Sequence, residues 1–101
     1  MRMILFFDLP SVKYIDQKNY RKFRKFLIKE GFLQMQESVY VKLAINNSAA
    51  ESIASKIRKQ CPSSGFVQML VVTEKQFASM INFAGQFKSE TVNSDERMVI
   101  F

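Results

Sequence analysis

Asp8 is a single carboxylate at the end of the apolar run Met3-Ile4-Leu5-Phe6-Phe7, and Leu9-Pro10 follows it immediately. A run of this kind is expected as a strand buried on both faces, whose backbone ends rigidly and fixes where the carboxylate points. Carboxylates aimed in this way bind divalent cations. Downstream, Lys18, Arg21, Lys22, Lys25 and Lys29 recur at helical spacing, and at roughly 100° per residue they fill an arc about 100° wide. An acid fit for a metal ion beside a basic helix points to phosphodiester chemistry. Each feature also has a plainer reading, since a strand-end acid often serves a turn and a lysine-rich helix face is often only solvated.

The composition narrows the choice. The 101 residues include no histidine and one cysteine, Cys61. Ser-His and Cys-His nucleophile pairs, an imidazole proton shuttle and histidine-ligated zinc are therefore excluded, as are an internal disulfide and a thiolate cluster. What survives is chemistry with a carboxylate-held magnesium ion, or manganese in its place, for which Asp8 is the metal ligand and catalytic residue, or no chemistry at all. Fifteen Lys and Arg against nine Asp and Glu give a formal charge of +6, which suits an anionic partner. Lys13, Lys18, Arg21, Lys22, Lys25 and Lys29 are the candidate nucleic-acid contacts, and Lys13, Lys18 and Arg21 are the first choices among them. Such residues hold backbone phosphates without reading sequence. Tyr20, Phe23, Phe26 and Phe32 could stack bases, but their spacing assigns them to the core. Asp16, Glu30 and Glu37 fall in settings that suggest capping and surface roles.

The elements that must position these residues follow from periodicity and turn chemistry. Arg2 to Phe7 reads as the first strand and Leu9 to Ile15 as a loop. In the helix that follows, Tyr20, Phe23, Phe26, Leu27 and Glu30 share one side, the bases take the other, and Gly31 supplies the stop. Leu33 to Gln36 and the alternation of Val39, Val41 and Leu43 against Tyr40, Lys42 and Ala44 read as a strand pair, with a bulge marked by Gln36-Glu37-Ser38. Ser48 with Glu51 forms a capping-box signature for a second helix, whose stripe is Ala50, Ile53, Ala54, Ile57 and Cys61 and whose end is Pro62. Phe66 to Val72 reads as another buried strand, and Thr73 with Gln76 caps one helical turn. A polar stretch from Gly85 to Asp95 precedes a short terminal strand, Met98 to Phe101.

This order fits a single α+β domain over residues 1–101, a ferredoxin-like βαββαβ sandwich with residues 86–101 as a tail and edge strand. Both helices would cover one sheet face, leaving the other to be hidden against a second copy in a homodimer. No apolar run approaches the roughly 20 residues of a membrane helix, so a soluble, cytoplasmic protein with no membrane partner is expected. Met98, Val99, Ile100 and Phe101 are expected to bind a partner by adding to a sheet edge.

Met1-Arg2-Met3-Ile4-Leu5-Phe6-Phe7-Asp8-Leu9-Pro10, Tyr20-Arg21-Lys22-Phe23, Gly31-Phe32, Gln36-Glu37-Ser38-Val39-Tyr40, Gln68-Met69-Leu70 and Asp95-Glu96-Arg97-Met98-Val99-Ile100 occur in that order and spacing. Together they closely resemble the CRISPR-associated protein two family, in particular the branch found beside the large single effector nuclease of type II systems. Gly31 to Gln36 is one residue longer than the commonest pattern of that family. The resemblance implies a ferredoxin-like homodimer that sits between two CRISPR integrase dimers, in a heterohexamer, and supports duplex DNA during spacer acquisition. It also implies magnesium-dependent nucleic-acid cleavage in some members, with Asp8 as the metal-binding acid and its two copies facing each other across the twofold axis. One carboxylate per chain is a thin catalytic inventory, which favours scaffolding over cleavage. The alternative is an endoribonuclease whose cleavage of single-stranded RNA is the main function. A third class, the RNA-recognition module, would need exposed aromatics in a glycine-aromatic pattern of which Gly65-Phe66-Val67 is only a fragment.

Overall fold

Strand and helix periods along the chain resolve into one sheet with the two long helices on one side. The computed structural model describes residues 1–85, in the order β1 (Arg2–Asp8), α1 (Tyr14–Lys29), β2 (Leu33–Gln36), β3 (Val39–Leu43), α2 (Asn47–Gln60), β4 (Phe66–Val72) and a short α3 (Glu74–Ala78). The class is α+β, and the four strands form an antiparallel sheet in the order β2-β3-β1-β4. Each of the two long helices therefore crosses over one intervening strand, the split βαβ arrangement of a βαββαβ chain. The expected strand Met98 to Phe101 and the tail 86–101 lie outside the described residues.

The core lies between the sheet and the helices. Met3, Leu5 and Phe7 of β1 pack with Tyr40, with Phe23 and Leu27 of α1, and with Ala50 and Ile57 of α2. Phe7 is the hub, because its ring meets those of Tyr20, Phe23 and Tyr40 at centroid distances of 5.8, 5.6 and 5.5 Å. Aromatic pairs of this kind add about 0.5–1.5 kcal/mol each to their area burial. Tyr40 is fully buried, and its hydroxyl accepts a hydrogen bond from Arg24 Nε at 3.0 Å, which removes the cost of an unpartnered polar atom.

The end of α1 explains how the chain turns into β2. The N–H of Gly31 donates to the Ile28 carbonyl and that of Phe32 to the Leu27 carbonyl, both at 3.0 Å, which is a Schellman closure with glycine in the left-handed region at φ 98°. Phe32 then drops into the core. The β2–β3 ladder shifts register between Gln34 and Gln36, one step before the expected Gln36-Glu37-Ser38. A bulge there takes up one residue.

Three expectations are corrected. β1 is not buried on both faces along its length: Ile4 is 7% exposed but Phe6 is 39% exposed, because α1 and α2 both pack on the opposite side, that of Met3, Leu5 and Phe7. β4 is not a buried strand, since it pairs only with β1 and has no buried residue. Its apolar run makes an edge with Phe66 and Leu70 exposed. The second helix is capped by Asn46, not Ser48: the Asn46 side chain accepts from the Ala49 N–H at 2.9 Å, and Ser48 falls in the first turn. Asn46 has the extended backbone an N-cap requires, and asparagine is among the best residues there. The capping box of Thr73 and Gln76 forms as expected on α3.

Candidate functional site

Asp8 is the last residue of β1, and it is exposed. Three neighbours fix its backbone. It lies opposite Phe66 in the β1–β4 ladder; the preceding N–H, of Phe7, donates to the Ser38 carbonyl at 3.1 Å; and Gly65, at φ +87°, packs so tightly against it that a Cβ would stand 2.5 Å from the Asp8 carbonyl oxygen. The strand thus ends between the turn that precedes β4 and the turn that precedes β3. Pro10 follows, and the Gln17 side chain ties the loop to α1 by donating to the Ser11 carbonyl at 3.1 Å.

Asp8 opens on a cavity of about 450 Å³ that it shares with Gln17, Tyr20, Arg21, Glu37 and Ser38. The set is chemically mixed, with two carboxylates, a guanidinium and a phenol. Burial, the neighbouring Tyr40 and the Glu37 carboxylate raise the Tyr20 pKa above its ordinary value, against an opposing effect of Arg24. Tyr20 therefore stays protonated and can donate a hydrogen bond. Among the described residues no group of three or more His, Cys, Asp or Glu gathers in one place. That excludes a multi-acid centre there but not magnesium, which keeps several waters and needs only one or two carboxylates besides substrate oxygens. Asp8 and Glu37 are the two acids that line this cavity.

The six candidate bases Lys13, Lys18, Arg21, Lys22, Lys25 and Lys29 are all exposed, and the fold divides them. Arg21 joins Asp8 in the cavity. Lys22 lines a different cleft, toward α2. Lys13 is the residue before α1 and makes no side-chain cap bond, while Lys18, Lys25 and Lys29 keep to the outer surface of the helix. Met98, Val99, Ile100 and Phe101 lie outside the described residues.

Glu37 and Tyr20 are the cavity residues that the sequence assigned elsewhere, one to the surface and one to the core. Register is the signal that would have found Glu37. Leu5 pairs with Tyr40 and Phe6 with Val39, so counting outward from these pairs brings Glu37 to Asp8. That count requires knowing that β1 lies against β3.

Residues 1–80 match the family model described as CRISPR associated protein Cas2. The chain is 48% identical over 100 residues to the CRISPR-associated endoribonuclease Cas2 of Treponema denticola, covering 99% of each chain. It is 48% identical over 99 residues to the protein of the same name from Streptococcus mutans, covering 98% of this chain and 91% of that one. The corresponding protein of Ligilactobacillus salivarius is 45% identical over 100 residues, 99% of each.

Proposed function

The chain belongs to the CRISPR associated protein Cas2 family, and on that premise we propose that it serves in CRISPR adaptation as a homodimeric scaffold. In this role it supports duplex DNA between CRISPR integrase dimers, as the centre of a cytoplasmic heterohexamer, while spacers are acquired. The observation that carries the reading is the two-sidedness of the domain. Its uncovered sheet face exposes Phe6, Leu33, Leu43, Phe66 and Leu70, a surface suited to a second copy. Its helix side exposes Lys18, Lys22, Lys25 and Lys29, a surface suited to phosphates. No helix among the described residues is long and apolar enough to cross a membrane.

A second reading, metal-dependent cleavage of single-stranded RNA, draws on the cavity that joins Asp8 and Glu37 to Tyr20 and Arg21, and the relatives carry the name endoribonuclease. Asp8 and Glu37 would hold magnesium, or manganese in its place. When bound, the cation supplies positive charge at the scissile phosphate and acidifies water. Arg21 would grip a phosphate oxygen pair through its fork of N–H groups, and the neutral Tyr20 phenol would donate to a further oxygen. Asp8 lies at the rim of the uncovered face, so a dimer formed there brings its twofold mate near.

Substituting Asp8→Ala separates the two readings. On the scaffold reading the variant still dimerises, binds duplex DNA and supports spacer integration with its integrase, while any magnesium-stimulated cleavage disappears. Loss of integration by a folded, dimeric Asp8→Ala protein would transfer the main role to cleavage.

A further inference from the structure

The fold adds bases from a second helix to the α1 stripe. Near the end of α1, Glu30 pairs with Lys56 of α2 at 3.4 Å. Nearer its start, Asn19 and Lys22 share a cleft with Lys59 and Gln60. Later residues of one helix thus meet earlier residues of the other, so α1 and α2 run antiparallel, side by side over the sheet. The cleft between them holds about 310 Å³ and reaches down to the buried ring of Phe23. Its walls carry two ammonium groups and two carboxamides, and no carboxylate lines it. Among the described residues neither Lys22 nor Lys59 takes part in an ion pair, whereas Lys56, farther along the seam, is offset by Glu30. Amide and ammonium donors around a cleft without an acid suit an anionic oxygen group.

We infer that this cleft seats a backbone phosphate of duplex DNA and carries the footprint from α1 across to α2. The inference rests on the DNA-support reading and adds a second row of contacts to it. Packed helix axes lie about 8–10 Å apart, and each strand of a duplex advances about 3.4 Å along its axis per phosphate. Rows on the two helices therefore stand more than one such rise apart and meet different phosphates. Lysine acts here as a point charge on a flexible stem, so the contact is indifferent to base sequence. Arg58 and Lys59 stand in the last turn of α2, where they also offset the helix dipole; a role confined to that would affect helix stability and leave the salt dependence of binding unchanged.

The test compares duplex DNA binding across a range of salt concentrations for wild type, Lys59→Gln and Lys75→Gln. Each variant loses one charge, and Lys75 is an exposed residue of α3 outside the cleft. The expected result is several-fold weaker binding by Lys59→Gln at low salt, with the slope of log affinity against log salt reduced by about 1, while Lys75→Gln tracks wild type. A wild-type protein that binds no duplex at low salt overturns the DNA-support reading and the inference with it. Wild-type binding with Lys59→Gln indistinguishable from Lys75→Gln overturns the inference alone.

Discussion

Gly65 is the residue on which the position of Asp8 turns. Its φ of +87° is one that side chains rarely adopt, and a Cβ would stand 2.5 Å from the Asp8 carbonyl oxygen and 3.0 Å from the Leu9 Cα, both backbone atoms that cannot swing aside. Gly31 offers a contrast at a similar φ of +98°, where the close neighbour of an added Cβ is the flexible tip of Lys42. Gly65→Ala is therefore expected to destabilise the fold by about 1–3 kcal/mol, through left-handed strain and displacement of the β1 end together. Gly31→Ala is expected to cost less. Urea midpoints of the two variants check this, and a Gly65→Ala midpoint equal to that of wild type would show that the β1 end does not depend on this contact.

At the scale of the element, α1 does two jobs with two faces. Phe23 and Leu27 are buried on one side, and the exposed bases on the other form the surface proposed to meet a polyanion. Changing Lys18, Arg21 and Lys22 to Glu reverses charge at three exposed positions of α1 while sparing the buried residues that pack. Duplex binding is expected to weaken by orders of magnitude and its salt dependence to flatten, with helical content retained by circular dichroism. Unchanged affinity would place the footprint on another element. This helix was legible from the sequence because a 3.6-residue period sorts core from surface within one segment. The strand roles were less so. Phe66 to Val72 has the same near-continuous apolar character as β1, but sequence does not say that β1 is central and β4 is an edge; that comes from the order of pairing. Asn46 and Ser48 are both good caps two positions apart, and local geometry alone selected Asn46. The cavity around Asp8 was half legible for the same reason: the acid and Arg21 stand out by type and spacing, whereas Glu37 arrives through the β1–β3 register.

At the scale of the whole molecule, the sheet face turned away from α1 and α2 exposes apolar side chains from all four strands among the described residues. Phe66 is 71% exposed, Leu33 72%, Leu43 59% and Leu70 54%, and by register they lie on the same side of the sheet as Ile4 and Phe6. Full burial of one large apolar side chain contributes about 1.5–3 kcal/mol, so a self-complementary contact across this face gains from both copies at once. Phe6 and Leu70 belong to the central and edge strands of the face and point away from the helix-side core. A Phe6→Asp, Leu70→Asp double variant should therefore keep its secondary structure while losing self-association, because each copy would set two unpaired carboxylates in an apolar contact. Sedimentation should give a dimer for wild type and a monomer for the variant. Thermal stability should rise with protein concentration for wild type only, since association stabilises the folded state by mass action. A wild-type protein that sediments as a monomer, with a concentration-independent midpoint, would leave the apolar face to a different partner and remove the proposed twofold on which the pairing of two Asp8 residues depends.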